Sequence, residues 1–359
     1  MDPSDSASIQ NPVSASASAM LPMFRQVHPD DVGEMILTES KSRYTLFPIV
    51  HNDIYQMYQN ALASFWTASE IDFAQDLEHL TMLTTGEKDF IMHILAFFSS
   101  VDGVVNENLC ARFLNEVSVS EAKAFYATQI CIEAIHNETY SLLIDTYEKD
   151  PIQRDRLFNA VLHFPTIAAK QDWAKKWIDD SSSSFAQRLT AFAIVEGLMF
   201  SGAFCAIFYM RERKLLPGLC FANHLISRDE GLHTEFACLL YSKMEKRLPE
   251  SLVRSMIEEA LEIEKEFICD ALRVDIIGMN ANLMKQYLEF VANRLYKLLG
   301  YGPDDLYTSK NPFSFMEWSA GHVIESFFEV RVANYSKAGV GSKSGIPSEF
   351  KIDLNADDF

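Results

Sequence analysis

Two acid and histidine pairs occupy stretches that are otherwise apolar. Glu133 and His136 lie in ICIEAIHNETYSLLI, residues 130–144, and Glu230 and His233 lie in LISRDEGLHTEF. Both pairs read Glu-x-x-His, which on a helix sets the two side chains about 60° apart on one side, where they can converge on one ion. A lone acid precedes each pair in a separate apolar stretch. Asp102 stands in LAFFSSVDGVVNENL, 31 residues before Glu133, and Glu196 in AFAIVEGLMFSGAF, 34 residues before Glu230. The order is a helix with one carboxylate and then a helix with carboxylate and histidine, twice over.

Taking an unpaired carboxylate out of water costs several kcal/mol, so four such acids need a reason. A four-helix bundle holding two metal ions uses this inventory: one acid from each of two helices and a Glu-x-x-His from each of the other two. Four carboxylates balance two divalent ions, and mixed oxygen and imidazole donors suit iron or manganese better than calcium. Taken singly, Glu196 could be half of a buried ion pair, and His136 or His233 a hydrogen-bonded core histidine. Six coinciding residues favour the metals.

Two further residues add chemistry to such a centre. Tyr140 follows Glu133 by seven residues and His136 by four. It sits about 20° from Glu133 on the helical wheel, so a phenol one turn from the metals could be oxidised by them. Asp229 directly precedes Glu230. It could accept from the outer nitrogen of a metal-bound histidine.

The elements that must carry these residues are helices. Apolar residues recur at three- and four-residue spacing over roughly 87–116, 121–149, 184–213, 218–246, 250–276 and 281–300, with Ser120, Pro151 and Pro217-Gly218 as start and stop signals. No sustained alternation reads as a sheet. The expectation is an all-α bundle in one domain, residues 24–337, flanked by a disordered Ser- and Ala-rich leader, 1–23, and a flexible polar tail, 338–359.

Composition narrows the partners. The net charge of −19 would be repelled by nucleic acid and anionic lipid. Charges interrupt every window of about 18 residues, which argues against a membrane span. The six cysteines show no Cys-x-x-Cys spacing, so neither a zinc knuckle nor a disulfide framework is indicated and a reducing compartment fits. Without a signal core or an Arg-rich presequence at the start, the expected location is the cytoplasm, with nuclear entry left open.

At this point a resemblance becomes specific. ASFWTASEIDFAQD, LAFFSSVDGVVNENL, IHNETYSLLIDTY, FAIVEGLMFSG, LISRDEGLHTEFACLL, IGMNANLMKQYLEFVANRL and NPFSFME together resemble the small, radical-generating subunit of class I ribonucleotide reductase of the eukaryotic type, from about residue 42 to Val340. The resemblance implies a ferritin-like helical bundle with a di-iron centre in its core. Asp102, Glu133 and His136 would hold one iron, and Glu196, Glu230 and His233 the other. Dioxygen reacting there would leave a radical on Tyr140, shielded by Phe200, Phe204 and Ile226. Trp66 would connect through Asp229 to His136, and Tyr335 would relay the radical toward a partner.

The implied partner is a large catalytic subunit, because this chain has no Gly-rich phosphate loop, basic pocket motif or paired cysteines with which to bind and reduce a ribonucleotide. The two subunits together would form a thioredoxin- or glutaredoxin-dependent ribonucleoside-diphosphate reductase. The tail would dock there through Phe350, Leu354 and Phe359, and the small subunit would be a homodimer. Competing expectations are a ferritin-type iron store, a dimetal oxygenase or desaturase, and a non-catalytic scaffold. The first two have no use for Trp66, Asp229 and Tyr335, or for Tyr140, in these contexts.

Overall fold

The computed structural model describes residues 27–316 apart from 39–42, 44, 180–181 and 303. Tyr335, Phe350, Leu354, Phe359, the leader 1–23 and the tail 338–359 lie outside the described residues. Within them the secondary structure is helical. The helices of nine residues or more are α1 (Asn52–Ala63), α2 (Ala74–Met82), α3 (Thr85–Asn108), α4 (Ser120–Tyr147), α5 (Pro165–Asp179), α6 (Phe185–Ile194), α7 (Ser201–Glu212), α8 (Pro217–Ser242), α9 (Glu250–Lys265) and α10 (Ala281–Leu298). The six windows read from periodicity correspond to α3, α4, α6 with α7, α8, α9 and α10.

Local chemistry fixes the ends of the site-bearing helices. Thr84 and Glu87 form a reciprocal capping box at the start of α3, and the Ser184 hydroxyl accepts from Gln187 N at the start of α6. α8 begins at Pro217, whose missing N–H costs nothing at a first helical position. Its next two amides are capped from another helix. Asp76 on α2 accepts from Gly218 N at 2.9 Å through Oδ1 and from Leu219 N at 2.8 Å through Oδ2, and Tyr147 at the end of α4 donates to the same Oδ2. Gly218 permits this approach, since a Cβ there would stand 2.5 Å from the Asp72 carbonyl oxygen.

α3 pairs with α4 and α6 with α8, and α8 closes against α4 to complete a four-helix core. α1 covers α4, while α9, α10 and α5 pack around the other side. α9 shows how an outer helix is held. Its buried residues Val253, Met256, Ile257, Ala260, Leu261 and Glu264 recur at three- and four-residue spacing and leave the opposite face to solvent. α6 is instead buried over nearly its whole length. By length and composition alone, Thr85–Glu116 and Phe185–Glu212 could cross a bilayer. Here their apolar side chains are mostly buried inside the protein, and these two stretches carry Asp102 and Glu196.

The structure departs from a uniform helix at 184–213. α6 ends at Ile194 and the chain runs through a π-turn, Val195–Met199, breaks at Phe200, and resumes as α7 at Ser201. Similar π-turns follow α3 at Leu109–Phe113 and α9 at Glu266–Ala271. A π-turn adds a residue without changing composition, so periodicity passes over it, and such turns are frequent at functional sites.

Candidate metal centre

α3 contributes Asp102, α4 contributes Glu133 and His136, the π-turn contributes Glu196, and α8 contributes Glu230 and His233. All six are buried. They gather in two overlapping sets, Asp102 with Glu133 and His136, and Glu133 with Glu196, Glu230 and His233, each with donor atoms within 4.8 Å of one another. Glu133 belongs to both sets. His136 Nδ1 lies 3.0 Å from Glu230 Oε1 and 3.4 Å from Glu133 Oε2. His233 Nδ1 lies 2.9 Å from Glu133 Oε1 and 3.1 Å from Glu230 Oε2.

The site tests well as a metal site on its own polar atoms. Asp102 Oδ2 and both oxygens of Glu196 are buried without a hydrogen-bond partner, and the oxygens of Glu133 and Nδ1 of His136 face only other members of the cluster. Orphaned acceptors at this density carry a desolvation cost that divalent cations would remove. The electrostatics agree. Burial, then the charges of Glu133 and Glu230, push the Asp102 carboxyl well above its ordinary value, and burial with Glu230 does the same to Glu196. Burial opposes charge on His136 too, yet Asp229, Glu133 and Glu230 outweigh it and hold the imidazole well above its ordinary value. The cluster draws in protons as it would draw in cations.

Asp229 sits immediately outside the ligands. Its Oδ2 accepts from Trp66 Nε1 at 2.7 Å and lies 3.3 Å from His136 Nε2. Its Oδ1 accepts from Arg228 Nε at 3.1 Å and Nη2 at 2.8 Å, and Arg228 Nη2 also donates to the Ser64 carbonyl beside the end of α1. Burial opposes ionisation of Asp229, but Arg228, His136 and Trp66 hold its carboxyl below the usual range. The indole of Trp66 lies beside the His136 ring, centroids 6.0 Å apart and planes 26° from parallel. The two histidines are not equivalent, because His233 Nε2 has no hydrogen-bond partner.

Tyr140 is buried with its hydroxyl unpartnered. Burial, then Asp102, Glu230 and Glu133, push its phenol well above the ordinary value, so it holds its proton. The residue stacked on it is one that sequence reasoning missed. Phe98 lies parallel to the Tyr140 ring, centroids 4.6 Å apart and planes within 7°. The expected Phe200 and Phe204 pack in turn on Phe98, at 5.8 and 5.0 Å. Ile226 is buried on α8. Phe98 precedes Asp102 by one helical turn, and that spacing could have found it. A cavity of about 130 Å³, walled by Glu196, Glu230, Phe204, Phe208, Thr234 and Tyr287 among others, reaches the metal-facing acids.

Fold and donor set together define a ferritin-like bundle whose core acids and histidines can hold metal. Residues 43–312 match the family described as ribonucleotide reductase, small chain, and the chain belongs to that family. It is 52% identical to the ribonucleoside-diphosphate reductase small chain of Neurospora crassa, over 97% of this chain and 85% of that one. It is also 52% identical to the small chain of Nicotiana tabacum, over 89% of this chain and 97% of that one. Among solved structures it resembles the ribonucleotide reductase Rnr4 homodimer of Saccharomyces cerevisiae, with a TM-score of 0.73 and 35% identity over 81% of this chain and 91% of that one. The R2 subunit of Clostridium botulinum ribonucleotide reductase, at a TM-score of 0.69 and 21% identity over 76% of this chain and 89% of that one, shares the fold.

Proposed function

We propose that this chain generates and stores a tyrosyl radical on Tyr140 and passes it to a large catalytic subunit, which reduces ribonucleoside diphosphates to deoxyribonucleotides. The six donors, Asp102, Glu133, His136, Glu196, Glu230 and His233, suit two iron or manganese ions, and the family resemblance favours iron. When bound, the ions supply the oxidising power of dioxygen. The observation that carries the reading is Tyr140 itself: a buried phenol with no hydrogen-bond partner, subject to the charges of three of the candidate ligands and stacked on Phe98.

Each residue has a task in this scheme. Tyr140 keeps its proton until it is oxidised, since its phenolate is disfavoured by burial and by the acids nearby. Phe98, with Phe200 and Phe204 packed on it, and Ile226, as the resemblance implies, keep water and reductants from the ring. Asp229, anchored by Arg228, orients His136 on one side and Trp66 on the other, giving a hydrogen-bonded line from the candidate metal ligands to the loop after α1. The proposed continuation runs through Tyr335 to the large subunit, which the tail engages through Phe350, Leu354 and Phe359. Dependence on thioredoxin or glutaredoxin belongs to that subunit. A homodimer is proposed by likeness to the Rnr4 homodimer, and cytoplasmic location from the sequence.

The test is low-temperature electron paramagnetic resonance on metal-free protein loaded with ferrous iron and exposed to dioxygen, beside Tyr140→Phe treated identically. A tyrosyl signal in the parent and none in the variant is the expected result. Iron binding and oxidation with no radical in either protein would leave the metal centre standing and remove the radical assignment.

A further inference from the structure

Away from the metals lies a second buried pair of charges that the chemistry above does not use. Lys170 on α5 and Glu264 on α9 form an ion pair, and both side chains are fully inaccessible. The ammonium donates to the Met199 carbonyl at 2.6 Å and lies over the rings of Phe97 and Phe267, 3.7 and 4.0 Å from their centroids. The other oxygen of Glu264 accepts from Gly202 N at 3.1 Å. Glycine leaves room for this contact, because a Cβ at Gly202 would lie 2.5 Å from that oxygen and displace the carboxylate.

Met199 and Gly202 bracket the break at Phe200, where the π-turn carrying Glu196 gives way to α7. The pair therefore holds one backbone group on each side of the break from two other helices. Phe97, beneath the ammonium, also packs on Phe98 and Phe200 at 5.2 and 5.7 Å, and Phe98 carries the stack on Tyr140. A bare ion pair in the core is weak support for stability, since desolvation offsets its attraction. What this one has is a specific geometry at the segment that presents a metal ligand.

We propose that Lys170 and Glu264 are positioning residues that fix the π-turn and so aim the Glu196 carboxylate at its metal. The inference rests on the metal-centre reading. A π-turn can slide its extra residue along the helix, and a slide of one residue would rotate Glu196 by about 100° away from the other donors. With Met199 and Gly202 both tied, the slide is blocked before any metal arrives.

The experiment compares the parent, Glu264→Gln and the double variant Lys170→Met with Glu264→Gln, each titrated anaerobically with ferrous iron and followed by near-infrared magnetic circular dichroism, which reports each ferrous site. Glu264→Gln retains an acceptor for Gly202 and leaves the lysine nitrogen free to donate to Met199, so it takes up two ions as the parent does. The double variant loses the Met199 tie. It keeps the parent's helicity and a cooperative thermal transition, yet binds one of its two ions roughly 10-fold or more weakly, the scale seen when residues supporting ligands are lost.

A double variant that binds both ions as the parent does overturns the positioning role. A parent that binds no metal overturns the metal-centre reading itself. Should the double variant not fold, amide hydrogen exchange of the parent decides: residues 195–202 are protected without metal and little changed by it. Protection that arises only on metal addition would show that the ions, not the pair, hold the segment.

Discussion

The indole nitrogen of Trp66 and Nε2 of His136 converge on a single oxygen, Oδ2 of Asp229, from 2.7 and 3.3 Å. Trp66 belongs to the loop after α1, and His136 to α4. Asp229 therefore ties the tryptophan to the ligand set without itself touching the metal-facing donors. Asp229→Ala leaves all six ligands in place, and the expected result is retained iron and a retained Tyr140 radical with turnover lowered about 10–100-fold. Ribonucleotide reduction assayed with the large subunit, beside iron content and radical yield, checks it. Equal loss of radical and turnover would mean that Asp229 serves the metals alone.

Phe98 gives a different signature. Truncating a buried phenylalanine costs about 3–5 kcal/mol, and here it also opens the face of the Tyr140 ring. Phe98→Ala is expected to unfold at lower denaturant and, once loaded with iron, to lose its radical signal faster than the parent. Phe98→Leu, nearer in volume, separates the effects by recovering stability more than radical lifetime. The decay of the resonance signal against time in the three proteins is the measurement.

The six candidate donors that the structure gathers could be picked out in the sequence because buried charge at helical spacing is anomalous, as in two Glu-x-x-His pairs each led by a lone acid. α3, α4, α8, α9 and α10 were legible from their stripes. Much of the support was not. Lys170 stands in PTIAAKQDWAKKWID, where charge is frequent enough to read as solvated surface, and nothing local says that its ammonium reaches a carbonyl 29 residues away. Asp76 looks equally ordinary until the fold sets it under the first turn of α8. The π-turn at Glu196 keeps the composition of the helix it interrupts. Each of these depends on which elements meet, and periodicity along one chain carries no such information.

Asp76 yields a stability prediction. Its carboxylate serves two backbone amides of α8 and the hydroxyl of Tyr147, so Asp76→Ala leaves three buried donors without their acceptor. Loss of a helix cap costs about 0.5–2 kcal/mol, and orphaned buried groups cost about 1–3 kcal/mol each. The expected destabilisation is therefore at least about 2 kcal/mol. Glu230 and His233 lie further along the same helix, so metal affinity falls less than stability. Denaturant midpoints and ferrous titration of the same variant separate the two.

The pair at Lys170 and Glu264 predicts a pH profile whose sign can be worked out. Burial pulls Lys170 from 10.5 down to about 8 against the pull of Glu264, and pushes Glu264 from 4.5 up to about 7 against Lys170 and the Gly202 amide. Between 4.5 and about 7 the folded chain keeps a proton on Glu264 that the unfolded chain releases, so this stability is lost as pH rises. Between about 8 and 10.5 the unfolded chain keeps a proton on Lys170 that the folded chain releases, so stability is regained as pH rises. The pair thus supports the fold least between about 7 and 8, where both groups are charged. Denaturant midpoints of the metal-free parent, referred at each pH to Lys170→Met with Glu264→Gln, are expected to pass through a minimum there. A maximum instead would mean that the charged pair, attraction outweighing desolvation, is a net source of stability, and that its hold on Met199 and Gly202 is strongest at neutral pH.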